Sequence, residues 1–104
     1  MTVSEYKVII SREALEMLKE HIAFLSNVNK KAAEKTKDSL IAAIGELSAM
    51  PRRYPFFNEP YIPQNKYRKM FVKTRYLVLY QIVEDTVYVD YILDCRQDYG
   101  WLIK

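Results

Sequence analysis

The residues best suited to chemistry lie in the last third of the chain. From Tyr61 to Val83 there is no acidic residue, while Lys66, Arg68, Lys69, Lys73 and Arg75 bring five positive charges. Arg96, Tyr99 and Trp101 follow beyond the last β-favouring run. A surface of this kind attracts phosphate or an acidic protein partner. Phosphoryl chemistry at such a surface would take a group to accept a hydroxyl proton, cations to hold the charge developing at phosphorus, and an acid for the leaving oxygen. Arg68, Lys69, Lys73 or Arg75 would serve as the cations, Arg96 lies after the last strand, and Tyr99 could give the proton. Each has a plainer role. Arg96 can pair with Asp94 or Asp98, the lysines can guard a strand edge against aggregation, and Tyr99 and Trp101 can close the core.

Other chemistries are poorly provided for. One cysteine, Cys95, allows no internal disulfide and reads as a small buried hydrophobe. The single histidine, His21, reads as a surface position on a helix away from the strands. No Cys/His cluster has zinc-ligand spacing, and Gly45 and Gly100 are too far apart for a phosphate-cradling loop, so no metal or cofactor is expected. The start of the chain is too polar for a signal peptide and no apolar run approaches a membrane span, so a reducing cytoplasm is expected. At 104 residues, half of them hydrophobic and 28% charged, the chain is expected to form one domain without metals or disulfides. The formal charge of +3 matters less than its clustering near the strands.

The elements that must position these residues follow from periodicity. Tyr6 to Ser11 is rich in β-branched residues and predicts a first strand. Ser11 is then a plausible N-cap, with Glu13 in the first turn, for an amphipathic helix on Leu15, Leu18, Ile22 and Leu25 that ends near Ser26-Asn27. Asn29 caps a second helix with the stripe Ala33, Thr36, Leu40, Ala43, Ile44 and Leu47, stopped by Pro51. From Pro51 to Asn65, four prolines and four aromatics exclude a regular element and predict an ordered loop lying against the domain. Tyr67–Lys73, Arg75–Val83 and Thr86–Cys95 then form a meander, with turns near Lys73-Thr74-Arg75 and Glu84-Asp85-Thr86. The order β-α-α-β-β-β predicts an α+β fold, a small antiparallel sheet with a two-helix hairpin on one face and the first strand beside the meander. The opposite face would be left open to a partner.

That order resembles the RelE/ParE superfamily of bacterial type II toxins. The likeness rests on the connector Met50-Pro51-Arg52-Arg53-Tyr54-Pro55, the strand Tyr76-Leu77-Val78-Leu79-Tyr80-Gln81-Ile82, the run Thr86-Val87-Tyr88-Val89, and the ending Asp94-Cys95-Arg96-Gln97-Asp98. It spans nearly the whole chain. The resemblance implies a growth-arresting toxin masked by a cognate antitoxin. RelE-like members cut messenger RNA in the ribosomal A site and ParE-like members poison DNA gyrase, both on one scaffold, so fold alone does not choose. RNA-cutting relatives often carry an arginine directly after the first tyrosine of the Arg75–Val83 strand, where this chain has Leu77. Their later tyrosine or histidine falls near Leu102, about one helical turn from Tyr99. The Arg96-Gln97-Asp98 ending looks like the Arg-x-Asp of the ParE-like branch. A non-toxic RNA-binding or interaction domain on the same scaffold is a third reading.

Overall fold

The structure, a computed structural model, describes residues 5–95. Arg96, Tyr99, Trp101 and Leu102 lie outside the described residues. The elements follow the expected order: β1 (Lys7–Ile10), α1 (Arg12–Val28), α2 (Lys30–Gly45), β2 (Arg68–Val72), β3 (Tyr76–Val83) and β4 (Thr86–Asp94). The four strands form one sheet in the order β1-β4-β3-β2. β2, β3 and β4 pair antiparallel as a meander, whereas β1 lies parallel to β4, so the sheet is mixed. The parallel strand is possible because the helical hairpin supplies the long crossover that such a pairing needs.

Both helix starts are where the sequence puts them. The Ser11 hydroxyl accepts from the Ala14 amide at 3.0 Å, and the Asn29 side chain accepts from the Ala32 amide at 3.0 Å. Each cap satisfies an amide with no partner inside its helix and contributes about 1 kcal/mol. The buried stripe of α1 is centred differently from the expected one. Ala14 and Leu18 are buried and Met17, Ile22 and Leu25 flank them, while Leu15 turns outward at 40% exposure. α2 ends at Gly45, before Pro51. The chain then tightens into two 3-10 turns, Glu46–Ser48 and Pro51–Arg53, which bring Leu47 into the core.

The main core lies between the helices and one sheet face. Leu40, Ile44 and Leu47 meet Met70, Val72, Tyr76, Val78, Tyr80, Val87, Val89 and Ile92 there. Tyr80 is fully buried and donates its hydroxyl to the Pro51 carbonyl, and Tyr54 packs edge-on against it. Burial pushes the Tyr80 phenol up to about 12.

The other sheet face is not left open, contrary to the sequence expectation. Its residues Leu77, Leu79 and Leu93 are at most 5% exposed, covered by Phe57, Ile62 and Tyr67 of the aromatic connector. Burying each leucine contributes about 1.5–3 kcal/mol, so the connector is part of the core. Two parts of this face stay bare: the end around β1, where Ile9, Val83 and Tyr88 are 46%, 49% and 36% exposed, and Phe71 on β2, which is 56% exposed. Between Leu79 and Tyr80 the register against β4 shifts, leaving Asp90 as an extra residue of a bulge. Its carboxylate accepts from the Gln81 side-chain Nε2 at 2.7 Å.

The β2–β3 turn is strained. Lys73 and Thr74 both have φ of 55°, and the Arg75 amide closes the turn onto the Val72 carbonyl at 3.3 Å. Such left-handed pairs favour Asn-Gly, and a β-branched threonine there is costly. Thr74→Gly should therefore stabilise the fold by about 1 kcal/mol, seen as a higher urea midpoint. An unchanged or lower midpoint would show that the turn is not strained.

Candidate functional site

The acid-free run that stood out in the sequence becomes β2, the tip of the β2–β3 hairpin and the start of β3. Its cations differ in how free they are. Lys66 and Lys73 are exposed, Lys73 at the hairpin tip. Lys69 is half-buried, its ammonium 5.7 Å from the centre of the Phe57 ring. Arg68 is engaged. Its Nη1 donates to the Tyr54 carbonyl at 2.7 Å and the Arg52 carbonyl at 3.1 Å, and its guanidinium lies 4.1 Å from the centre of the Phe56 ring. A guanidinium that satisfies two loop carbonyls does a structural job that lysine would do less well.

Arg75 is engaged too. Its Nη2 lies 3.3 Å from the carboxylate of Asp94, whose side chain is only 6% exposed. It also lies over the Tyr76 ring at 5.2 Å, and its Nε is buried with no hydrogen-bond partner among the described residues. Asp94 is the more buried member of the pair, and the Arg75 guanidinium offsets a charge that is costly to take out of water. Arg75 thus anchors the end of β4 as well as bearing charge. The sequence expectation that Arg96 pairs with Asp94 or Asp98 falls on residues outside the described range.

His21 is not the surface residue the sequence implied. It is half-buried, its Nε2 is 2.8 Å from the Ile92 carbonyl, and its ring lies 5.4 Å from that of Tyr76. The helical stripe turns it onto the sheet, where it ties α1 to β4. Cys95 is half-buried against the connector-covered core, and its thiol is pushed up by burial and by the charge of Asp94. Tyr67 is pushed up to about 12 by burial, with Asp90 and Tyr91 adding to the effect. Raised phenols and a raised thiol stay protonated near neutral pH, so none of these groups is poised as a base or nucleophile. No group of three or more His, Cys, Asp or Glu able to hold a metal occurs among the described residues.

Leu77 is fully buried between the connector and the neighbouring strands. Its side chain faces Phe57, Ile62, Leu79 and Leu93. The structure also adds two cations that the sequence reading passed over. Arg52 and Arg53 are exposed and sit beside Arg68 through its bond to the Arg52 carbonyl. Extending the search for acid-free sequence upstream of Tyr61 would have found them, because Glu59 is the only carboxylate between Met50 and Val83.

This geometry agrees with what comparison with known proteins finds. Residues 8–99 match the family model described as the ParE toxin of type II toxin-antitoxin system, parDE. A solved structure described as the chromosomal ParDE TA system from P. aeruginosa superposes with a TM-score of 0.73 at 9% identity, covering 88% of this chain and 97% of that one. At that identity the likeness speaks for the fold. The comparison with curated proteins finds no match. No helix among the described residues is long and apolar enough to cross a membrane. With a family model matched over most of its length, the chain belongs to the ParE toxin family of type II toxin–antitoxin systems.

Proposed function

We propose that this toxin arrests growth by binding DNA gyrase, that it cuts no RNA, and that a cognate antitoxin holds it in check. The observation that carries the reading is Leu77. RNA-cutting members of the superfamily resembled by the sequence often place an arginine there, and in this fold the position is fully buried in an apolar cluster. A buried leucine offers nothing to the charge that develops in a phosphoryl transition state. The surrounding groups support the same view. Tyr67, Tyr80 and Cys95 are raised, His21 is held against β4, and Arg68 and Arg75 are tied to loop carbonyls and to Asp94. What remains among the described residues is the set of cations Lys66, Lys69 and Lys73, which fits binding better than bond cleavage.

Gyrase inhibition and ribosome-dependent mRNA cleavage separate cleanly by product. After induction without antitoxin, cleaved DNA should accumulate covalently trapped on gyrase while primer extension finds cellular mRNA intact. Discrete in-frame cuts in mRNA, with no trapped DNA, would overturn the proposal. Unaffected growth would instead favour a non-toxic interaction domain.

Arg96 is proposed as the residue on which toxicity turns, on the strength of the Arg96-Gln97-Asp98 ending. Arg96→Ala should abolish growth arrest with thermal unfolding unchanged. Full toxicity in the variant, or loss of the fold, would remove Arg96 from the functional set.

A further inference from the structure

A cleft of about 380 Å³ opens between the start of β1 and the two 3-10 turns, lined by Tyr6, Ala49, Met50, Pro51, Arg52 and Arg53. Its walls are tied to the fold by hydrogen bonds of the backbone. The Tyr6 amide donates to the Ser48 carbonyl at 2.8 Å, the Ala49 amide to the Glu46 carbonyl at 3.1 Å and the Arg53 amide to the Met50 carbonyl at 3.3 Å. The Pro51 carbonyl takes the Tyr80 hydroxyl, and the Arg52 carbonyl takes Arg68. The cleft is thus formed before any partner arrives, which lowers the cost of binding. Its floor is apolar, with Met50 62% exposed and Ala49 exposed beside it. Two guanidiniums flank that floor with most of their donors free. Among the described residues Arg52 uses only its Nε, on the Tyr6 hydroxyl at 3.4 Å, and Arg53 uses Nη2, on the Tyr54 hydroxyl at 2.9 Å. The carboxylate paired with them is Glu46, 4.0 Å from Arg53, and both partners of that pair are solvated. Such a pair neutralises little.

An apolar floor between two cations selects among ligands. A phosphate backbone would meet the guanidiniums but has no apolar group to place against Met50 and Ala49. A nucleobase could enter the cleft, but every base carries N–H donors on its pairing edge. The carbonyls of Ser48, Met50, Pro51 and Arg52 already accept bonds within the protein, and the guanidiniums only donate, so a base would leave water without an acceptor in exchange. An aliphatic side chain with a carboxylate beside it uses both halves of the site. Its apolar body fits the floor, where methionine adapts to the shape it meets, and its carboxylate takes the paired donors of a guanidinium. We infer that this cleft docks a protein segment in which an aliphatic residue is flanked by aspartate or glutamate, with Met50 as the apolar contact and Arg52 and Arg53 as the carboxylate contacts. The inference goes beyond the gyrase reading and does not depend on it.

The test uses the purified full-length chain and a labelled five-residue peptide of alternating glutamate and leucine, with no gyrase present. Fluorescence anisotropy should show saturable binding that weakens as salt is added. Two control peptides separate the halves of the site on the native chain, so the answer does not depend on a variant folding. Glutamine in place of glutamate, and serine in place of leucine, should each weaken binding by about tenfold. Arg52→Gln with Arg53→Gln should cause a similar loss, and Met50→Ser, at an exposed position, should weaken the leucine peptide while leaving the serine peptide unchanged. A labelled single-stranded or duplex oligonucleotide should bind with no dependence on Met50. Absence of peptide binding, equal binding of the control peptides, full affinity in the folded arginine variant, or an oligonucleotide that binds more tightly than the peptide and loses affinity with Met50→Ser would each overturn the inference.

Discussion

The fold depends on a sheet that is apolar on both faces and has helices for only one. β3 alternates Tyr76, Val78 and Tyr80 toward the helices with Leu77 and Leu79 away from them, and all five are buried. Something must cover the second face, and the connector does so. It is held along β2 by the Phe57 and Lys69 amides and by the Arg68 guanidinium on the carbonyls of Arg52 and Tyr54. From the helix side, the Tyr80 hydroxyl on the Pro51 carbonyl fixes where the connector begins. The Tyr80 bond satisfies a buried carbonyl, and the others pair backbone groups along the connector, which is why a segment without regular structure can be ordered.

The same attachment shapes the surface proposed to meet the target. Covering Leu77 removes from solvent the position at which a nuclease of this superfamily often has an arginine, and laying the connector on β2 brings Arg52 and Arg53 next to Arg68. One structural requirement thus takes Leu77 out of solvent and leaves a cationic edge, the surface proposed above to bind the target. The Arg75–Asp94 pair fixes the other end of the sheet, where β4 hands the chain on toward Arg96.

Much of this was legible in the sequence, and the misses have physical causes. Ser11 and Asn29 announced their helices because capping is local chemistry, and the strands were recognisable from β-branched and aromatic runs. The direction of β1 was not legible, since four residues carry no mark of parallel or antiparallel pairing. His21 was misplaced because a lone polar residue on an amphipathic helix reads as solvent-facing unless its carbonyl partner, seventy-one residues away on β4, is known. Phe57 and Ile62 were seen to be too apolar for a free loop, yet which leucines they cover depends on the path of the connector. Arg52 and Arg53 were hidden by the Glu59 that separates them in sequence from the other cations.

The central claim is that the connector is bonded along β2 as an integral part of the sheet, held there by Arg68. Amide hydrogen exchange tests it most directly. The Phe57 and Lys69 amides should be protected in the native protein, and Arg68→Gln should release them while the amides shared by β3 and β4 stay slow. Exchange of Phe57 and Lys69 at the rate of an unstructured loop in the native protein would contradict the account.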